Sequence, residues 1–137
     1  MLADAILIAE TKAWIKKAEL DVRSASHDLT AVPPLVSDAV CHCQQAVAKV
    51  LKGFLFWHNV VFRKTNSLEE IGEQCLKIDQ TLFQVIDQAV PLTEYAWKFR
   101  YLGDPEEPSL EEAAEALAIA KKVYTAILDR LPDLLKP

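Results

Sequence analysis

Apolar residues recur along this chain at the alternating three- and four-residue spacing that places them on one side of an α-helix. The strongest pattern runs from Val36 to His58. Val36, Val40, Cys43, Val47, Val50, Phe54 and Trp57 share one stripe. His42, Gln45, Lys49 and Lys52 keep the same spacing on a second stripe, displaced about a quarter turn. One face of this helix therefore faces a core, and its neighbour is a candidate interaction surface. Upstream, Leu7, Trp14, Ala18, Val22, Ala25 and Leu29 predict a helix over 2–30, with Lys12, Lys16, Lys17, Glu19 and Arg23 on its wet side. Pro33-Pro34 separates the two helices, since proline at a first turn loses no needed hydrogen bond.

After a loop over 59–66, Ser67 and Glu70 have the spacing of a reciprocal capping box opening a third helix to about Ile78. From Thr81 to Tyr101 the pattern predicts one interrupted helix or two short ones, bent at Pro91. An acidic loop, Gly103 to Pro108, leads to a second capping box, Ser109 and Glu112. The last helix carries Leu110, Ala113, Leu117, Ala120, Tyr124, Ile127 and Leu131 on one face and ends at Pro132. The expectation is a single all-α domain over 1–137, an up-and-down bundle of four long helices plus a short fifth.

Composition supports that architecture and narrows the chemistry. At 137 residues and 51% hydrophobic, the chain can bury a core without metals or disulfides. A formal charge of −5 fits poorly with broad nonspecific nucleic-acid binding, although a local basic patch stays open. Three cysteines give no disulfide framework, which suggests a reducing cytoplasm. On a helix the side chains of Cys41 and Cys43 point about 200° apart, so Cys41-His42-Cys43 does not make a metal site. No metal or other cofactor is expected. The start lacks the basic, apolar pattern of a secretory signal, and Lys49, Lys52 and His58 interrupt the most apolar window, arguing against a membrane span.

Four stretches say more than their periodicity. Ala39 to Leu55 reads AVCHCQQAVAKVLKGFL, and its His42, Gln44, Gln45, Ala46, Lys49, Leu51 and Lys52 resemble the second helix of the HEPN family (higher eukaryotes and prokaryotes nucleotide-binding), with Ala48 where that family has Glu. Trp14 to Ala25 is similar to its opening helix. Thr65 to Cys75 resembles its third, with Asn66 in place of a histidine. Phe99 to Ala113 reads FRYLGDPEEPSLEEA and resembles its Arg-Tyr junction, with Leu102 replacing a proline.

The resemblance implies that Arg100, Tyr101 and Asp104 contribute to a site with His42, Gln45, Lys49 and Lys52, binding a nucleotide such as ATP or a protein partner. Arg100 could hold a phosphate, or pair with the acidic loop. The lysines could contact phosphates, or lie along the core edge while pairing with acids. Ribonucleases of the family carry a histidine separated from the arginine by four to six intervening residues, and counted from Arg100 those positions are Pro105, Glu106 and Glu107. Arg23 and His27 share a face of the first helix, but an exposed face without a pocket suits catalysis poorly. The expected function is thus a non-catalytic HEPN subunit with a separate minimal nucleotidyltransferase partner, in a toxin–antitoxin or stress-related module. The alternative is a metal-independent ribonuclease toxin using Arg100 with an unconventional base. Phe54, Phe56, Trp57, Val60, Val61 and Phe62 crowd one region and suggest a homodimer. No membrane partner is expected, and RNA as a partner stays open.

Overall fold

A computed structural model describes residues 2–99 and 107–137, with side chains described from Asp4 onward. Among the described residues the regular structure is entirely helical: α1 (Leu2–Thr30), α2 (Val36–Trp57), α3 (Leu68–Ile78), α4 (Phe83–Ala89) and α5 (Leu110–Leu128). Short 3-10 segments at Gln80–Leu82, Val90–Ala96 and Asp133–Leu135 complete it. The all-α class holds, but the helix lengths depart from the expected four long and one short. Three helices of 29, 22 and 19 residues are joined by shorter ones of 11 and 7. Pro91 is the reason for the shortest: it has no N–H to continue α4, and the chain runs on as the 3-10 segment from Val90. No helix among the described residues is long and apolar enough to cross a membrane.

The axis of the fold is α2, which packs against α1, α3, α5 and the Val90–Ala96 segment. Fourteen of its 22 residues are buried, so it is enclosed well beyond the single apolar stripe. Small side chains at Ala39, Ala46 and Ala48 let neighbours approach on the remaining sides. At Gly53 the approach is closest: a Cβ there would sit 3.0 Å from Trp14 Cβ, so glycine sets the spacing of α1 on α2. The helix ends in a left-handed residue, Asn59 (φ 59°), with Val60 N–H donating to Leu55 O and Asn59 N–H to Phe56 O. This is the Schellman pattern, which satisfies the last carbonyls of the helix.

Both serine caps are present, but only one is reciprocal. Ser109 and Glu112 form the full box. At α3, Ser67 Oγ accepts from Glu70 N–H, while the Glu70 carboxylate is taken by Arg63, whose Nε and Nη2 lie 2.9 and 2.8 Å away. The aromatic crowd at the end of α2 is also more internal than its density suggests. Phe54 is in the core, Trp57, Val60 and Phe62 pack against it, and Phe62 meets Trp14 edge-on at 5.9 Å. Of the six residues only Val61 is strongly exposed among the large aliphatic ones.

Gln44 is fully buried in α2, and its amide is satisfied across elements. Its Nε2 donates to Asn66 O at 2.8 Å and its Oε1 accepts from Gln45 Nε2 at 2.7 Å. This pair fastens α2 to the entry of α3. Replacing Gln44 by Ala opens a cavity and leaves the Asn66 carbonyl without its donor, so stability should fall by about 2–4 kcal/mol. Gln45→Ala removes one half-exposed bond and should cost under about 1.5 kcal/mol. Urea unfolding of the two variants checks the order.

Candidate functional site

The contact between α1 and α2 is built on a heptad. Thr11, Trp14, Ala18, Asp21, Ala25 and Asp28 follow one another by three and four residues along α1. All but Trp14 are buried, so two carboxylates lie on a stripe that otherwise belongs to the core. Asp21 is the hub. Its Oδ1 lies 2.8 Å from His42 Nδ1, and its Oδ2 lies 2.6 Å from Lys49 Nζ. An ionised carboxylate only accepts, so His42 donates through Nδ1 and presents Nε2 to the other side. There Nε2 is 3.3 Å from Asp38 Oδ2, one helical turn back on α2.

Asp28 occupies the next heptad position. It is 8% exposed, and its Oδ2 is buried without a hydrogen-bond partner among the described residues. Burial first, then a hydrogen bond with the Asp38 carboxyl and the Asp38 charge, push its pKa from 3.8 up to about 6, against the pull of His42 and His27. The two statements agree. With both carboxyls ionised, Asp28 Oδ2 has no donor, whereas a proton shared with Asp38 supplies one. An open groove of about 790 Å³ lies over these groups, lined by Arg23, Ser24, His27, Asp28, Asp38 and His42 among others. Arg23 and His27 are thus not on a pocketless face: the close of α1 against the start of α2 gives them one.

The other residues singled out from the sequence are distributed along the same helix. Lys49 is tied to Asp21. Lys52 is 9% exposed, with its ammonium 5.9 Å from the Trp14 ring centre. Burial lowers its pKa most, and the nearby charges of Lys49 and Lys64 lower it further. Gln45 binds Gln44. Cys43 is in the core, where burial pushes its thiol up to about 12, whereas Cys41 is half-buried. Arg100, Tyr101 and Asp104 lie outside the described residues. The chain returns at Glu107, whose Oε1 accepts from Ser37 Oγ at 3.1 Å in the first turn of α2. That anchor is beside Asp38, and about 18 Å along the helix axis from Lys49. The structure thus brings His42 and Lys49 together through Asp21, and places Lys52 beside Trp14, within reach of the charges of Lys49 and Lys64.

Sequence reasoning missed Asp21, Asp28 and Asp38. A signal existed for the first two, because an acid at a core-facing heptad position needs a buried partner. Asp38 carried none, as an acid in the first turn of a helix is ordinary.

A family model described as HEPN domain matches residues 11–131. No curated protein and no solved structure matches the chain.

The Asp28 carboxyl should leave a mark on stability. Its folded form holds a proton to higher pH than the unfolded one, so the native state binds more protons between pH 3.8 and about 6. The contribution of Asp28 to stability therefore falls as pH rises through that window, and the loss persists above it. Asp28→Asn abolishes this slope. Urea unfolding in buffer free of divalent cations, compared near pH 4 and pH 6.5, should show the variant gaining on the wild type as pH rises.

Proposed function

The chain belongs to the HEPN domain family, and from that premise we propose that it is a binding subunit and not an enzyme, engaging a nucleotide and a separate minimal nucleotidyltransferase. A toxin–antitoxin or stress-related module in the cytoplasm is the setting this reading implies, with the longer helices running up and down as in an ordinary bundle. The observation that carries it is Lys52, nearly buried beside Trp14, whose charged form is disfavoured first by burial and then by the charges of Lys49 and Lys64. Lys52 feels the charge of the other two at a half-closed position, so an anion there relieves repulsion that the protein alone leaves in place. The acid that Lys49 already holds, Asp21, tempers this field without removing it. Against catalysis stands the Arg-Tyr junction, where the positions that follow Arg100 after four to six intervening residues hold Pro105, Glu106 and Glu107.

A second reading, a metal-independent ribonuclease, is favoured by one specific observation: the groove that places Arg23, His27 and His42 together. An imidazole and a guanidinium in a groove can move a proton and hold a phosphorane. Two carboxylates in the same groove oppose an RNA phosphate, and the binding reading is preferred for that reason.

Titration of ATP by calorimetry separates the roles. Arg100→Lys and Lys52→Gln should each weaken binding about ten- to a hundredfold, equivalent to about 1.4–2.7 kcal/mol. Equal affinities, or no heat from any nucleotide, would remove the nucleotide from the proposal. Structured and single-stranded RNA incubated with the same protein in EDTA should stay intact, and cleavage lost in Arg23→Ala or Arg100→Ala would promote the ribonuclease.

The family resemblance and the exposed apolar residues Val61, Phe83 and Trp97 support self-association into a homodimer. Sedimentation at micromolar concentration should show a species of about twice 15.3 kDa, and a lone 15.3 kDa species is the opposing result.

A further inference from the structure

We propose that Asp28, Asp38 and His42 form a site for one divalent transition-metal cation of the zinc type, at the base of the groove between the end of α1 and the start of α2. One ligand atom from each residue lies within 4.8 Å of the others. Two ligands bonded at about 2.0–2.1 Å to a tetrahedral ion stand about 3.3–3.4 Å apart. His42 Nε2 and Asp38 Oδ2 already stand 3.3 Å apart, so a tetrahedral edge is formed before any ion arrives.

The imidazole is also oriented as a ligand. Its Nδ1 is held by Asp21, and Asp21 is held in turn by Lys49, so in the neutral tautomer with its proton on Nδ1 the lone pair of Nε2 faces the Asp38 carboxyl, and an ion there takes the place of the proton that would otherwise bond Nε2 to Asp38. A histidine backed by a carboxylate in this way is the usual arrangement behind a metal ligand, and it raises the donor strength of the other nitrogen. Its partner carboxylate, Asp28, supplies the independent sign of a missing occupant. Over nine-tenths buried and lining the groove, it carries an oxygen that has no donor while Asp28 and Asp38 are both ionised; the proton shared with Asp38 that relieves it is what a cation would replace. A buried carboxylate oxygen without a partner is costly, and a cation satisfies it and the Asp38 charge at once.

The donor set selects the metal class. One imidazole with two carboxylates suits Zn²⁺, Mn²⁺ or Co²⁺ better than Mg²⁺ or Ca²⁺, which prefer all-oxygen ligands. Three protein ligands under an open groove leave a fourth position for water or an anion. Arg23 and His27 line that same groove outside the ligand set. The thiols take no part: Cys43 is in the core, and Cys41 is not among the converging atoms.

Calorimetric titration of the full chain with ZnCl₂, with the cysteines kept reduced, tests the site, and a parallel Co²⁺ titration reads the ligands from visible spectra. One equivalent of Zn²⁺ should bind, Mg²⁺ at the same concentration should not displace it, and the Co²⁺ adduct should show d–d bands without thiolate charge transfer. Asp38→Asn and His42→Gln should each weaken Zn²⁺ at least about tenfold, and Cys41→Ser should leave it unchanged. The Asp38 side chain is 60% exposed, so that variant keeps its fold even if His42→Gln does not. No binding, affinity that survives Asp38→Asn, or a thiolate band in the Co²⁺ spectrum would overturn the assignment.

Discussion

Asp21 is a carboxylate on a helix face that should be apolar, and much of the molecule is arranged to make its burial tolerable. An ionised acid at 7% exposure is stable only when its oxygens are occupied by cationic or strongly polar donors. Two residues of α2, seven apart, provide them: His42 at one oxygen and Lys49 at the other. Because those donors share one helix face, satisfying Asp21 fixes both the rotation and the register of α1 on α2. Trp14 then falls against Gly53 at one end of the seam, and Asp28 beside Asp38 at the other. A slip of one residue would break the ion pairs and drive Trp14 into a side chain. Polar contacts at this seam therefore define the pairing of helices, while the apolar contacts supply most of its free energy.

The same device explains how much could be read from the sequence. Helix positions follow from three-and-four spacing and from serine caps, signals that are local and repeated, so α1, α2 and α3 begin and end close to where periodicity puts them. The failures are nonlocal. Glu70 has the spacing to close its capping box, yet Arg63 competes for it from a loop whose course cannot be read from spacing. Leu131 keeps the apolar rhythm of α5 and is buried, but it reaches the core after α5 has ended, while Arg130 bonds to Asp79 and the Ala126 carbonyl. The aromatic run from Phe54 to Phe62 resembles an outer patch when counted, and is largely internal because the chain turns at Asn59 and folds Phe62 back on Trp14.

The site was half visible for a related reason. His42, Gln45, Lys49 and Lys52 stand on one stripe of one helix, and periodicity finds such sets. Their partners come from another helix running the other way, and no spacing rule links residue 21 with residue 42. The HEPN-like words singled out polar residues on the α2 side of the seam, whereas the stretch from Trp14 to Ala25 ran through Asp21 without singling it out. Gln44 and Gln45, the most distinctive letters of those words, turn out to join α2 to the chain at Asn66, a structural task.

The placement of Lys52 against Trp14 has an optical meaning. An ammonium held 5.9 Å from an indole ring perturbs the charge redistribution that follows excitation, so the emission of Trp14 depends on where that cation sits. Phe62 fixes the ring from another side, at 5.9 Å, and limits its own reorientation. Any anion that draws Lys52 away from the ring alters the colour or yield of the indole without a label being attached. The helix seam thus carries a natural fluorophore beside Lys52, at a position where any displacement of that ammonium is converted directly into light.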